Sequence, residues 1–95
     1  MHIIEERSAE EKLNAALLKW SSTRVAWEAA TWAVVHDPGL GAYVTESGKT
    51  RAFTFPGARS IDMPDITLLY EIRGDTIVIH DALFEESAYS QDGRA

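Results

Sequence analysis

The chain has 95 residues, enough for one small domain, and contains no cysteine, which excludes disulfides, thiolate metal sites and a thiol nucleophile. Nine basic against fifteen acidic residues give a net charge of −6, which disfavours a protein that binds nucleic acid mainly through its phosphates. No apolar run approaches the roughly 20 residues of a membrane span, and the acidic start does not fit a signal peptide. We therefore expect one cytoplasmic domain over residues 1–95, with no membrane segment.

A short strand and two helices are predicted in the first half of the chain. Residues 2–6 are expected to form the strand, and the capping-box pattern Ser8-Ala-Glu-Glu11 predicts the start of a helix. Apolar residues then follow at helical spacing: Leu13, Ala16, Leu17 and Trp20. A second helix is predicted over residues 24–35. It is apolar nearly all round, so we expect its neighbours to cover most of it.

Four strands are predicted in the second half. Residues 41–46 and 49–55 flank a turn, and residues 56–65 have the composition of a mobile surface loop. Two β-branched runs then flank Gly74-Asp75, a pair typical of a two-residue hairpin turn. Closing this turn predicts three pairs on one sheet face: Ile72 with Ile77, Tyr70 with Ile79 and Ile66 with Leu83. The opposite face would carry Glu71, Arg73 and His80.

The order of elements predicts an α+β fold. An N-terminal strand and a helical hairpin would pack on a small antiparallel sheet, and residues 85–95 would form a polar tail. Three histidines are too few for a metal phosphohydrolase site, and no glycine-rich phosphate loop is present. We therefore expect neither a metal nor another cofactor.

This order resembles the RelE/ParE superfamily of bacterial type II toxins over roughly residues 3–89. Residues 6–11 resemble the family's first strand-to-helix junction, and residues 36–41 are similar to the stop after its second helix. Residues 68–72 resemble its penultimate strand, and residues 75–84 its last strand. The resemblance implies a cognate antitoxin that folds on binding, and exposed apolar surface along the groove between helices and sheet.

Ribonuclease members of this superfamily cleave messenger RNA on the ribosome. The resemblance implies basic residues on the middle strands, an arginine after the last strand and a tyrosine in the tail, which stabilise the charged transition state and transfer protons. Lys49, Arg51 and Arg59 match the basic positions, and Tyr89 matches the tyrosine, so Arg51 and Tyr89 are the catalytic candidates. The position after the last strand holds Glu85-Glu86 instead. The ParE-like branch, which poisons DNA gyrase, lacks this catalytic set.

The resulting expectation is a toxin component that acts by binding proteins: an antitoxin, and a cellular target such as gyrase. Two alternatives stay open: a ribosome-dependent mRNA endoribonuclease, and a non-toxic homodimer or larger homo-oligomer joined through its tryptophan-rich helices. Six residues are predicted to contact RNA or a partner: Trp27, Trp32, Lys49, Arg51, Arg59 and Arg73. A tryptophan that the sheet leaves uncovered would mark the partner surface.

Overall fold

The computed structural model describes residues 1–46 and 48–88, and within them the predicted α+β class is confirmed. Two helices pack on one face of a five-stranded sheet. The helices are α1 (Arg7–Lys19) and α2 (Thr23–His36). The strands are β1 (His2–Glu5), β2 (Ala42–Tyr43), β3 (Arg51–Phe55), β4 (Asp65–Arg73) and β5 (Thr76–Glu85). No helix among these residues is long and apolar enough to cross a membrane.

The strands lie in the order β1-β5-β4-β3-β2. Strands β2 to β5 pair antiparallel, as predicted, but β1 pairs parallel with β5, so the sheet is mixed. The strand predicted over residues 41–46 is shorter than expected and pairs only at Ala42–Tyr43. Because β1 and β2 occupy the two edges, each leaves one side of its backbone without a strand partner among the described residues.

The register of the β4–β5 hairpin is confirmed near its turn and wrong further away. Two predicted pairs are present: Ile72 with Ile77 and Tyr70 with Ile79. Ile66, however, pairs with Phe84 instead of Leu83, because β5 contains one extra residue, His80, at a β-bulge. The extra residue reverses the alternation of side chains beyond it, so Phe84 packs against the core and Leu83 is exposed.

The main core lies between the helices and the inner face of the sheet. Its buried members include Ala9 and Leu13 of α1, Trp27 and Val34 of α2, and Ile66, Leu68, Tyr70, Ile77 and Ile79 of the sheet. The Trp27 ring stacks on Phe84 with 5.9 Å between ring centroids, and its indole N–H donates to the Glu5 carboxylate at 3.1 Å. Trp27 therefore joins α2 to β1 and β5.

The predicted capping box is wrong. Helix α1 begins at Arg7, with Glu6 at the N-cap position and no side-chain capping bond. The Ser8 hydroxyl instead donates to the Asp81 carboxylate at 2.9 Å. A side chain that the local pattern assigns to the helix end thus makes a tertiary contact with β5.

The segment predicted as a surface loop is partly buried. Gly57, Ala58 and Pro64 are inaccessible to solvent or nearly so, and Arg59–Ile61 forms a 3₁₀ turn. The segment is tied to the turn between the helices: the Ser22 hydroxyl donates to the Ile61 carbonyl at 2.5 Å, and the Ser21 N–H donates to the Asp62 carboxylate at 2.7 Å. These contacts are non-local, so no pattern within residues 56–65 indicates them.

Asp81 links β5 to α1 through charge as well as hydrogen bonds. Its carboxylate accepts hydrogen bonds from the Lys12 ammonium at 3.0 Å, from the Ser8 hydroxyl and from the Ala82 N–H. Burial acts to raise the pKa of Asp81, but these hydrogen bonds and the Lys12 charge outweigh it and hold the pKa below its ordinary value.

Replacing Asp81 by asparagine is expected to remove part of the protein's sensitivity to acid. Because the folded pKa lies below the unfolded value of about 3.9, ionised Asp81 stabilises the fold above about pH 4, and this contribution is lost as the pH falls through the folded pKa. Lys12 is partly exposed, so we expect an effect of about 1 kcal/mol at pH 7. Urea unfolding at pH 7 and at pH 3 measures it, with Glu11→Gln as the control. An equal deficit of Asp81→Asn at both pH values would contradict the prediction.

Candidate functional site

The basic residues predicted to hold a phosphate do not converge on one place. Arg51 begins β3, whereas Arg59 lies beyond the other end of the same strand. The five residues of β3 span about 13 Å, so the two arginines lie toward opposite ends of this strand. Lys49 and Arg73 lie toward the Arg51 end, since Arg51 pairs with Tyr70 and β4 continues beyond that pair to Arg73.

The three arginines also have intramolecular partners. Arg51 donates to the Gly41 carbonyl at 2.7 Å and to the Tyr43 hydroxyl at 2.9 Å, and its guanidinium lies 4.0 Å from the centre of the Tyr43 ring. Arg59 donates to the Ser87 carbonyl at 3.2 Å, and Arg73 pairs with the Glu71 carboxylate. Lys49 is exposed. Tyr89, the other catalytic candidate, lies outside the described residues.

The Tyr70 phenol is the polar centre beside Arg51. Its hydroxyl is buried, accepts from the Gly41 N–H at 2.9 Å and donates to the Pro38 carbonyl at 2.7 Å. Burial raises the pKa of Tyr70, and the Gly41 hydrogen bond and the Arg51 charge offset this only in part. A neutral, fully bonded phenol holds the 3₁₀ turn Pro38–Leu40 against the sheet, so we assign this cluster a structural role.

A second polar cluster surrounds the β-bulge. The His80 ring lies between two carboxylates: Nδ1 is 2.6 Å from Glu6 Oε1, and Nε2 is 3.7 Å from Glu71 Oε2. His80 and Glu71 thus share a sheet face, as predicted. Among the described residues no group of three or more histidine or acidic side chains is arranged to hold a metal. The cluster therefore connects the start of α1 to β4.

The three tryptophans have different environments. Trp20 and Trp27 are 7% and 6% exposed, whereas Trp32 is 63% exposed. Of the two tryptophans predicted to contact a partner, only Trp32 is left uncovered. Its ring stacks on His36 with 3.9 Å between ring centroids, and His36 Nδ1 lies 2.8 Å from the Trp32 carbonyl oxygen. The exposed indole is therefore held by a neighbour one turn further along its own helix.

Trp32 lies in an open groove between α2 and the edge strand β1. The groove has a volume of about 280 Å³, and Ile3, Glu28, Thr31, Trp32, Val35 and His36 line it. We call it the α2–β1 groove. The α2 residues that line it from Glu28 to Val35 are spaced i, i+3, i+4 and i+7, so they share one face of the helix. Val25, which is 61% exposed, lies two turns before Trp32. Helix α2 is thus less covered than its apolar sequence predicted.

A second groove, of about 220 Å³, lies beside α1 and is lined by Lys12, Ala15, Ala16, Lys19, Trp20 and Phe84. Its polar groups are engaged within the molecule. Lys12 bonds to Asp81, and the Lys19 ammonium lies 4.7 Å from the centre of the Trp20 ring. Because Trp20 is buried there, this groove offers less apolar surface to a partner than the α2–β1 groove does.

No protein-family model, no curated protein and no solved structure matches this chain. The sequence indicated Trp32 as a partner contact, and the family resemblance implied apolar surface between helices and sheet. Neither indicated that Ile3 would line the groove, because Ile3 and Trp32 are separated by almost thirty positions and meet only when β1 joins the sheet.

Proposed function

We propose that this protein acts by binding a segment of another protein in the α2–β1 groove. The observation that carries the proposal is the 63% exposure of Trp32 in a mostly apolar groove. Tryptophan is among the residues that contribute most to protein–protein affinity, because it covers a large apolar area. Stacking on His36 already restricts the indole, so a partner loses little additional side-chain entropy when it covers the ring.

The edge strand supports the same proposal. One side of the β1 backbone has no strand partner among the described residues, so an incoming segment can pair with it. Ile3 on β1 also lines the groove, so a segment paired there would lie within reach of Trp32. Backbone pairing with β1 would supply affinity, and side-chain contacts in the α2–β1 groove would supply specificity.

We further propose that the protein is a RelE/ParE-like toxin component that acts in the cytoplasm. In this proposal the groove binds the cellular target, such as gyrase, and an antitoxin segment neutralises the toxin by covering the same groove. The order of one strand, two helices and a sheet supports the proposal, as does apolar surface between helix and sheet. The ribonuclease alternative has less support, because Arg51 and Arg59 lie at opposite ends of β3.

Expression of the chain in a bacterium under a tight inducible promoter tests this proposal. We expect growth arrest with intact transcripts, and a weaker arrest with Trp32→Ala, because that variant loses the exposed indole. Leu18→Ala is the matched control: Leu18 is 92% exposed on α1 and does not line the groove, so this variant should arrest growth like the unmodified chain.

Each contrary result points to a different alternative. Normal growth with folded protein would overturn the toxin proposal, and transcripts cut within codons would indicate the endoribonuclease. Full arrest by Trp32→Ala would place target binding outside the groove. Sedimentation at several concentrations addresses the homo-oligomer: self-association that Trp32→Ala abolishes would mean that a second copy occupies the groove.

A further inference from the structure

We infer that the segment bound in the α2–β1 groove is basic and extended, with an apolar side chain against Trp32 and lysine or arginine on either side of it. The inference rests on the proposed function, namely that the groove binds protein. It names the chemistry of the partner, which the exposure of Trp32 alone does not specify.

The first support is the charge around the groove. Glu28 lines it, and Glu5 lies on the strand that borders it. Within the described residues neither carboxylate forms an ion pair; Glu5 accepts only the Trp27 indole N–H. The whole chain carries a net charge of −6. Two acidic groups without a cationic partner, on an acidic protein, attract a basic segment and repel an acidic one.

The second support is the direction of the backbone N–H and C=O groups along the open edge of β1. In the pairing of β1 with β5, the N–H groups of His2 and Glu6 donate to the Asp75 and Ile79 carbonyls, both at 2.9 Å. Backbone groups alternate in direction along a strand, so those of Ile3 and Glu5 point away from β5. An extended segment of about four residues pairs with such an edge, and every second side chain then faces the groove.

Two synthetic heptapeptides test the inference. Both alternate polar residues with valine or leucine, and they differ only in carrying lysine or glutamate at the polar positions. Titration into the ¹⁵N-labelled full chain, followed by amide and indole chemical shifts, reports both the affinity and the place of binding. We expect the lysine peptide to bind about tenfold more tightly at low salt, with shifts at Ile3, Glu28 and Trp32. The preference should shrink at 0.5 M salt because exposed charges are screened.

Charge variants separate local from overall electrostatics. Glu28→Lys is expected to lower the preference for the lysine peptide about fivefold. Glu11→Lys, on the exposed side of α1, makes the same change in net charge away from the groove and should leave most of the preference intact. Equal effects of the two variants would show that net charge alone sets the preference, and would overturn the inference of a groove that selects basic segments.

The outcomes also separate this inference from the proposed function. If both peptides bind in the groove with equal affinity, or the glutamate peptide binds more tightly, the groove binds protein but the basic partner is wrong. If neither peptide shifts the groove resonances, and Trp32→Ala arrests growth as strongly as the unmodified chain, then the proposed function fails and the inference fails with it. Shifts confined to the second groove, beside α1, would likewise overturn both.

Discussion

Replacing Gly57 by alanine is expected to lower the free energy of unfolding by about 3 kcal/mol or more. Gly57 is buried, and a Cβ atom there would overlap the backbone carbonyl groups of Met63 and Pro64. Its N–H also donates to the Asp65 carboxylate at 2.7 Å, which holds this backbone close to the start of β4. Backbone atoms cannot rotate aside as a side chain does, so the segment must move. Urea unfolding followed by tryptophan fluorescence measures the loss.

Gly39→Ala is the control for this prediction. The nearest atom to a Cβ at Gly39 is Asp37 Oδ1, at 3.8 Å, which is an ordinary contact. We expect this variant to change the free energy of unfolding by less than about 1 kcal/mol, with alanine also restricting the unfolded chain slightly. If Gly57→Ala proves as stable as Gly39→Ala, the close approach of residues 57 and 63–64 is wrong.

The second large effect is expected from Trp27→Ala, which should lower the free energy of unfolding by about 3–5 kcal/mol. The substitution removes a buried ring that stacks on Phe84, and it leaves Glu5 without the indole N–H. A domain of this size has a total stability of about 5–14 kcal/mol, so this one substitution should remove a substantial share of it. Thermal unfolding followed by circular dichroism measures the change.

Trp32→Ala provides the same substitution on the same helix at an exposed position. Because Trp32 is 63% exposed, we expect it to change stability by about 0.5 kcal/mol. The two variants therefore separate folding from binding: Trp27→Ala should destabilise the fold strongly, whereas Trp32→Ala should keep the fold and lose the partner. Comparable losses of stability would show that Trp32 is packed in the core and would remove the basis of the α2–β1 groove.

Local patterns predicted most of the secondary structure. The apolar spacing of Leu13, Ala16 and Trp20 located α1, and Gly74-Asp75 located the final hairpin, because helix spacing and turn chemistry depend on residues close in sequence. Gly74 has a φ of 61°, the left-handed conformation that such a turn requires. The register next to the turn followed from the same local information.

The register beyond the bulge could not be predicted in the same way. The extra residue, His80, follows the part of β5 that pairs with β1, residues 76–79. The next residue, Asp81, bonds to Ser8 and Lys12 of α1. These partners are about seventy positions away in sequence. The one local sign of the bulge is Asp81, which strict alternation would place on the core face with Ile77 and Ile79. The predicted pair of Ile66 with Leu83 extended the alternation through Asp81 and was wrong.

The sequence by itself determined the α+β class, the two helices, the hairpin turn and the acidic charge, because each depends on composition or on neighbours within one or two turns. Only the tertiary structure decided which surface stays open. Trp27 and Trp32 lie on one helix and have similar apolar neighbours in the sequence, yet Trp27 is in the core and Trp32 is exposed. Their environments differ because the sheet covers one side of α2, and the position of β1 beside β5 is set by contacts across nearly the whole chain.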